Sequence, residues 1–365
     1  MQKKQRIIIS VINDLVTDQR VHKVSTSLIK NGYMVTLVGR KLKYSQPIQR
    51  QYKTKRMRLL FVRGPLFYAC FNFRLFLYLL FVKADIFLAN DLDTLWANFL
   101  VAKIRRKKLV YDSHEYFTEV PELINRNFSR NTWLKIEKRI LPKLKNCYTV
   151  CQSIADEYNK KYNINMQVIM NLPVYKELVP QAKENQPVKI IIYQGAVNKG
   201  RGLEQIICAM QFIENAEFHI YGEGDIYSDI QELIEEVKVG SKVKLMGRFP
   251  FEELQDITKL ADLGVSLEQN MGLNYYYSLP NKLFDYIQAQ IPVLCSEFPE
   301  MKNVIDKYKI GQTINNFDPE NLSKTISEIL NNPVLLNTWK ENLKIAAKEL
   351  NWEKQENKLL LLFNR

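Results

Sequence analysis

The sequence predicts an α/β protein built from two doubly wound parallel sheets. Three observations carry that expectation. Short apolar runs alternate with amphipathic stretches over nearly all of the 365 residues, which is the pattern of repeated βα units whose helices cover a parallel sheet. The alternation breaks once, at "LPVYKELVPQAKENQPVK" (172–189), where three prolines and a polar run have the composition of a linker, and it then restarts. The length, with 46% hydrophobic residues, suits two domains of ordinary size, each with its own core.

In the first half, strands are expected at "RIIISVI" (6–12), "MVTLVG" (34–39), "RLLFV" (58–62), "DIFLAN" (85–90), "KLVYDS" (108–113), "CYTVC" (147–151) and "QVIMN" (167–171), with helices between them. The N-terminus carries basic residues before the first strand, but no small-residue cleavage site follows, so a signal peptide is not expected. His22 is expected on a helix face. The run "GPLFYACFNFRLFLYLLFVKADIF" (64–87) is apolar enough to raise a membrane span, yet Arg74 stands in its middle and Lys83 and Asp85 near its end. A central arginine costs roughly 2.5 to 3.5 kcal/mol even on insertion scales, which argues against a transmembrane helix. Two readings remain: a helix packed in the core, or one lying on a bilayer with its aromatic side chains inserted.

Two strand exits in this half carry chemistry-bearing residues. "ANDLDTLWA" (89–97) holds Asp91 and Asp93, which either bind a cation through carboxylate oxygens or, in the case of Asp93, cap the helix starting at Thr94. "VYDSHEYFTEV" (110–120) places Asp112, His114 and Glu115 just beyond a strand, where functional loops concentrate, and the cluster is either a capping network or a site. A histidine there donates to a developing oxyanion or a sugar hydroxyl near neutral pH.

After the linker, strands are expected at "VKIIIYQG" (188–195), "EFHIYG" (217–222), "KVKLMG" (242–247), "LGVSL" (263–267), "IPVLCS" (291–296) and "GQTIN" (311–315). The loop "YQGAVNKGRGLEQIICAM" (193–210) leaves a strand and opens a helix, with Gly195, Gly200 and Gly202 bracketing Lys199 and Arg201. Close backbone approach plus two cations suits a diphosphate; a tight βα turn is the alternative. GxxxxGK[ST] is absent, and no GxGxxG follows the first strand, so neither a P-loop nor a dinucleotide fingerprint is present. "YGEGD" (221–225) reads as a turn, and His219 as a satisfied interior histidine. The last segment, 350–365, reads as an amphipathic helix.

Charge divides the chain. Residues 1–180 hold 32 Lys and Arg against 13 Asp and Glu, whereas residues 181–365 hold 20 against 26, within an overall charge of +13. Nine cations and no acid lie between Arg40 and Arg63, and "KIRRKK" (103–108) adds five more. Such a surface suits an anionic membrane, where each nearby cation is worth about 1 kcal/mol. No nucleic-acid motif accompanies it, and its cations are not interleaved with exposed aromatics, so nucleic acid is not the expected partner. Five cysteines without CxxC or an even framework point to a reducing compartment.

Taken together, "DQRVHKVSTSLIKNGYMVTLVGR" (18–40), "YDSHEYFTE" (111–119), "YQGAVNKGRGLEQII" (193–207), "GRFPFEEL" (247–254) and "SLPNKLFDYIQAQIPVLCS" (278–296) resemble the GT-B glycosyltransferases of family 4, group 1. The resemblance runs over essentially the whole length. It implies two Rossmann-like domains facing each other across a cleft: residues 1–180 for the acceptor, 181–349 for the nucleotide sugar, and a C-terminal helix, 350–365, packing back on the first. By this resemblance Asp285 takes the ribose role, and the amides near Ser278 and Leu279, with Lys282, face the diphosphate or sugar. Arg201, with Lys199 and the Gly195 loop, faces the leaving nucleotide, and His114 with Glu115 lies on the acceptor side.

The sequence departs from the family at one position. The family's acidic motif is E-x(7)-E, and Tyr277 stands where its first glutamate, which holds the donor sugar, belongs. Either the sugar differs, or Glu268 or Asn274 substitutes, or the protein binds without transferring. The implied activity is transfer of a sugar from a nucleoside diphosphate sugar to a glycan or lipid-linked acceptor of bacterial cell-surface polysaccharide biosynthesis, retaining and metal-independent, with no further cofactor. The alternatives are a nucleotide-sugar epimerase of the same fold and a catalytically silent binding protein. The expected location is cytoplasmic, at the inner face of the membrane, with the basic half touching anionic lipid.

Overall fold

The computed structural model describes residues 4–16, 18–124, 126–178 and 188–364. The chain divides into two compact units, one of Met1–Asn171 with Gln355–Arg365, the other of Leu172–Lys354. The expected boundary at 180/181 lies outside the described residues, and the division into units falls earlier, after Asn171. Gln355–Arg365 joins the first unit through side chains at both its ends. Gln355 Oε1 accepts from the Met170 amide at 3.3 Å, the Phe363 ring meets Tyr33 edge-on at 6.3 Å, and Lys108 Nζ donates to the Asn364 carbonyl.

The first unit is a seven-stranded sheet of β1 (Arg6–Asp14), β2 (Met34–Lys41), β3 (Lys53–Arg58), β4 (Ile86–Asn90), β5 (Lys108–Ser113), β6 (Cys147–Thr149) and β7 (Gln167–Val168), in the order β3-β2-β1-β4-β5-β6-β7. Every pairing is parallel. That is why the strands read as unbroken apolar runs: β4 sits between helical layers and all five of its residues are buried. β1 lies between β2 and β4, so the winding reverses there and leaves a crevice beyond the carboxyl ends of the two strands. Helix α1 (Gln19–Lys30) starts on that side, capped by Asp18, whose Oδ1 accepts from the Val21 amide at 3.0 Å.

The structure corrects one strand. "RLLFV" (58–62) is not β3; the strand is the preceding "KTKRMR", Lys53–Arg58. β3 is the sheet edge, where lysine and arginine are favoured because they discourage further strand pairing, so its burial pattern lacks the apolar run expected of an interior strand. Leu60, Phe61 and Val62 instead stand exposed ahead of helix α2 (Gly64–Phe81). Helix α2 buries Phe67, Phe71, Leu75 and Leu79, one residue per turn, and the last three join a core cluster with Ile8, Val38, Phe87 and Val101. Helix α3 (Leu92–Arg105) follows β4.

The second unit is a six-stranded sheet of β8 (Lys189–Gln194), β9 (Ala216–Tyr221), β10 (Val243–Gly247), β11 (Leu263–Ser266), β12 (Val293–Ser296) and β13 (Gly311–Ile314), in the order β10-β9-β8-β11-β12-β13. Its winding reverses between β8 and β11. Tyr286, fully buried on the helix Asn281–Ala289, pins that junction: its hydroxyl lies 3.2 Å from the Ile192 carbonyl and 3.1 Å from that of Val265, and it accepts from the Gln194 amide at 3.2 Å. One side chain thus ties together the two strands whose ends frame the crevice.

Candidate functional site

In the second unit, most of the residues singled out in the sequence converge at the β8/β11 junction. The hub is Glu268, fully buried just past β11. Its Oε1 lies 2.7 Å from Lys282 Nζ and 3.5 Å from Arg201 Nη1, while its Oε2 accepts from Ser266 Oγ at 2.8 Å. Burial alone would raise this carboxyl's pKa, but Lys282 and Arg201 more than offset it and hold the group below its ordinary range. Aromatic faces carry both cations: Lys282 Nζ sits 4.4 Å from the Tyr193 ring centre, and the Arg201 guanidinium 4.7 Å from that of Tyr275. Two cations and one carboxylate leave the cluster with a net positive charge.

Lys282 lies in the first turn of its helix, and Asp285 follows three residues later, about one turn along. Asp285 is half-buried and accepts from Gln194 Nε2 at 2.9 Å; Gln194 Oε1 is in turn held by Thr258 Oγ1 at 2.7 Å. A Cβ built on Gly195 would touch Lys282 Cε at 3.4 Å, which places the β8 exit against the lysine stem. Ser278 and Leu279 lead into the same helix, half-buried, and Ser278 Oγ has no hydrogen-bond partner. Lys199 is exposed two residues before Arg201. Tyr277 is half-buried against Tyr276, with ring centres 5.4 Å apart. Of the two residues considered as substitutes for the missing glutamate, Glu268 is enclosed and saturated by its partners, whereas Asn274 is half-buried.

The glycines act through close contact. Gly202 has φ +72°, and a Cβ there would stand 2.3 Å from the Leu267 carbonyl oxygen, so the loop carrying Arg201 lies directly on the exit of β11. "YGEGD" reads as a turn and also braces the site: a Cβ on Gly222 would fall 1.8 Å from the Gly195 carbonyl oxygen. His219, also in this unit, pairs with Glu217 at 2.8 Å.

In the first unit the two acidic segments form one network. The His114 amide donates to Asp91 Oδ1 at 2.8 Å; its ring Nε2 lies 3.1 Å from Asp112 Oδ2 and 3.2 Å from Asn90 Oδ1, and its Nδ1 3.4 Å from Asp91 Oδ2. Asp112 is fully buried and bound by both arms of the Arg20 guanidinium, at 2.9 and 2.8 Å. Burial opposes charge on each group. Nevertheless Arg20 and His114 hold Asp112 well below the carboxylate range, and Asp91 and Asp112 push the His114 imidazole up to about 10. Asp91 has φ +57°, uncommon for a side chain-bearing residue, and its carboxylate turns to His114 rather than to the helix amides. The helix begins at Leu92, so Asp93 does not cap one starting at Thr94. Asp93 lies in the first turn, buried, with Oδ1 unpartnered, and burial followed by Asp91 and Glu115 raises its pKa well above normal. Glu115 is half-buried beside His114.

Sequence reasoning missed Arg20, Gln194 and the hub role of Glu268. Arg20 left one signal: a cation among the apolar positions of an amphipathic helix.

Residues 18–171 match the family described as Glycosyltransferase Family 4, and residues 174–346 match Glycosyl transferases group 1. A curated relative, the uncharacterized glycosyltransferase MJ1178 of Methanocaldococcus jannaschii, is 25% identical over 164 residues, which are 45% of this chain and 44% of the relative. The match therefore spans less than half of that relative's length. The sucrose-phosphate synthase (tll1590) of Thermosynechococcus elongatus superposes with a TM-score of 0.79 at 18% identity, covering 99% of this chain and 98% of its own. Alr3699/HepE of Anabaena, solved in complex with UDP and glucose, superposes with a TM-score of 0.74 at 11% identity over 98% of this chain and 99% of its own. At such identities the likeness establishes the fold, GT-B.

Proposed function

The chain belongs to the family-4, group-1 glycosyltransferases of GT-B fold, and from that premise we propose that it transfers a sugar from a nucleoside diphosphate sugar to a glycan or lipid-linked acceptor. The observation that carries this reading is the sharing of one buried carboxylate oxygen of Glu268 by Lys282 and Arg201 at the β8/β11 junction. When the bond between the anomeric carbon and the phosphate oxygen breaks, its electron pair passes to the diphosphate. Two cations already fixed on aromatic faces stabilise that charge without reorganising. Asp285, held by Gln194, accepts from the ribose hydroxyls, and the amides at Ser278 and Leu279 face the phosphates or the sugar. By the family resemblance the reaction is retaining and independent of metal, with Arg201 and Lys282 supplying the positive charge. The complex of Alr3699/HepE with UDP and glucose makes uridine nucleotides the first donors to test.

In the first unit, His114 serves as a fixed imidazolium that orients Asp91 and Asp112 beside Glu115 and the acceptor. With both ring nitrogens facing carboxylates, it is not a general base at neutral pH. The excess of cations in residues 1–180 supports an acceptor met at an anionic membrane on its cytoplasmic side. Nothing in the family matches favours the epimerase alternative, since both families are transferases.

Calorimetry with UDP, GDP and their sugars tests the donor site. One of them is expected to bind, with affinity falling at least about tenfold in Arg201→Ala, in keeping with the loss of a charge-assisted contact, and falling also in Asp285→Ala. Folded variants that bind as the parent does would remove the assignment.

A further inference from the structure

The membrane contact proposed above rests on charge alone; the structure adds an apolar element to it. Helix α2 is apolar around its whole circumference except for Asn72 and Arg74, and it uses only one side in the core, through Phe67, Phe71, Leu75 and Leu79. On another face Leu66, Phe73, Leu77 and Phe81 form a second stripe at helical spacing, with Phe73 63% and Phe81 80% exposed. Leu60, 86% exposed, with Phe61 and Val62, adds to the apolar surface just before the helix. Contiguous exposed apolar surface of this kind marks an interaction site.

Charge decides what covers it. No acid occurs between Arg40 and Lys83, and exposed Arg58, Arg63, Arg74 and Lys83 surround the stripe along the chain. A second copy would bring like charge against like charge; an anionic bilayer complements it. Although α2 has the length and composition to span a membrane, its inner stripe is committed to the core of the first unit, which leaves only its outer face free to meet a bilayer. We propose that the outer face of α2, with Leu60–Val62, inserts into the interface of an anionic bilayer while these four cations meet lipid phosphates.

The test is vesicle co-sedimentation of the full chain, with phosphatidylglycerol-containing and pure phosphatidylcholine vesicles at low and high salt. Phe73→Ser/Phe81→Ser changes two exposed side chains and leaves the buried stripe intact. The parent is expected to bind anionic vesicles and to keep a salt-resistant fraction, and the double variant to lose that fraction, its partition coefficient falling about tenfold or more. Equal salt-resistant binding by parent and variant, or none in the parent, overturns insertion while leaving the charge contact standing. Failure of the parent to bind any vesicle overturns both, and the calorimetric donor assay still judges the transferase site separately. A parent dimer in sedimentation equilibrium that the double variant abolishes would assign the face to a second copy and overturn the proposal.

Discussion

Replacing His114 with glutamine tests the electrostatics of the first unit most directly. The imidazole sits between Asp112, fully buried, and Asp91, and its pKa rises from 6.5 to about 10. A group raised on folding contributes stability that is complete below its unfolded pKa and is lost as pH climbs through the folded value. The window is therefore about pH 6.5 to 10. At about 1.4 kcal/mol per pH unit the contribution has a ceiling of about 5 kcal/mol, reduced in practice because His114 and Asp91 each retain some solvent contact. The chain has three histidines, so proton resonances of the imidazole C2 positions can be assigned by single replacement. His22, whose pKa is lowered by burial and by Arg50, serves as an internal contrast. The His114 resonance is expected to stay flat through pH 8, and the advantage of the parent over His114→Gln in urea unfolding to shrink steadily from pH 7 to pH 10. A midpoint near 6.5, or a difference in stability that ignores pH, would refute the reasoning. It would also reopen a proton-accepting role for this residue.

Three further substitutions probe the second unit. Lys282→Met removes the nearer of the two cations from a carboxylate with no solvent contact, and should cost about 3 to 5 kcal/mol in urea unfolding; adding Glu268→Gln should recover much of that stability without restoring donor affinity. Gly202→Ala places a Cβ 2.3 Å from the Leu267 carbonyl oxygen at φ +72°, so it should lower the melting temperature by an amount corresponding to more than about 1 kcal/mol. An unchanged melting temperature would mean that the loop does not rest on β11 as described.

The parts of the fold that could be read from the sequence are those whose physics is local. Interior parallel strands are buried on both faces, so β4 and β8 announce themselves as apolar runs. β3 does not, because an edge strand needs little apolar character, and the neighbouring run Leu59–Val62 imitated an interior strand while standing mostly in solvent. The composition of α2 left open whether its apolar side chains face the core or the outside; the structure shows them doing both. The glycine loop and the helix with Lys282 and Asp285 were legible from residue type and spacing. Their partners were not. Glu268 lies 14 residues from Lys282, and Arg20 lies 92 from Asp112, so only the strand order brings either pair together.

The same topology explains why the two ionic clusters stand where they do. Each lies at a point where the winding of its sheet reverses, beside the strand ends of β1 and β4 in one unit and of β8 and β11 in the other. A charge buried in a packed interior is costly unless paired, whereas at such a crevice it has protein on one side and room for a ligand on the other. Pairing alone does not require the arrangement at Glu268, because one lysine would satisfy one carboxylate. The second cation leaves an excess of positive charge, and the aromatic faces of Tyr193 and Tyr275 fix where that charge sits. A cluster serving only stability would be expected to neutralise itself. The trio of Glu268, Lys282 and Arg201 carries one positive charge in excess, which suits an anionic ligand.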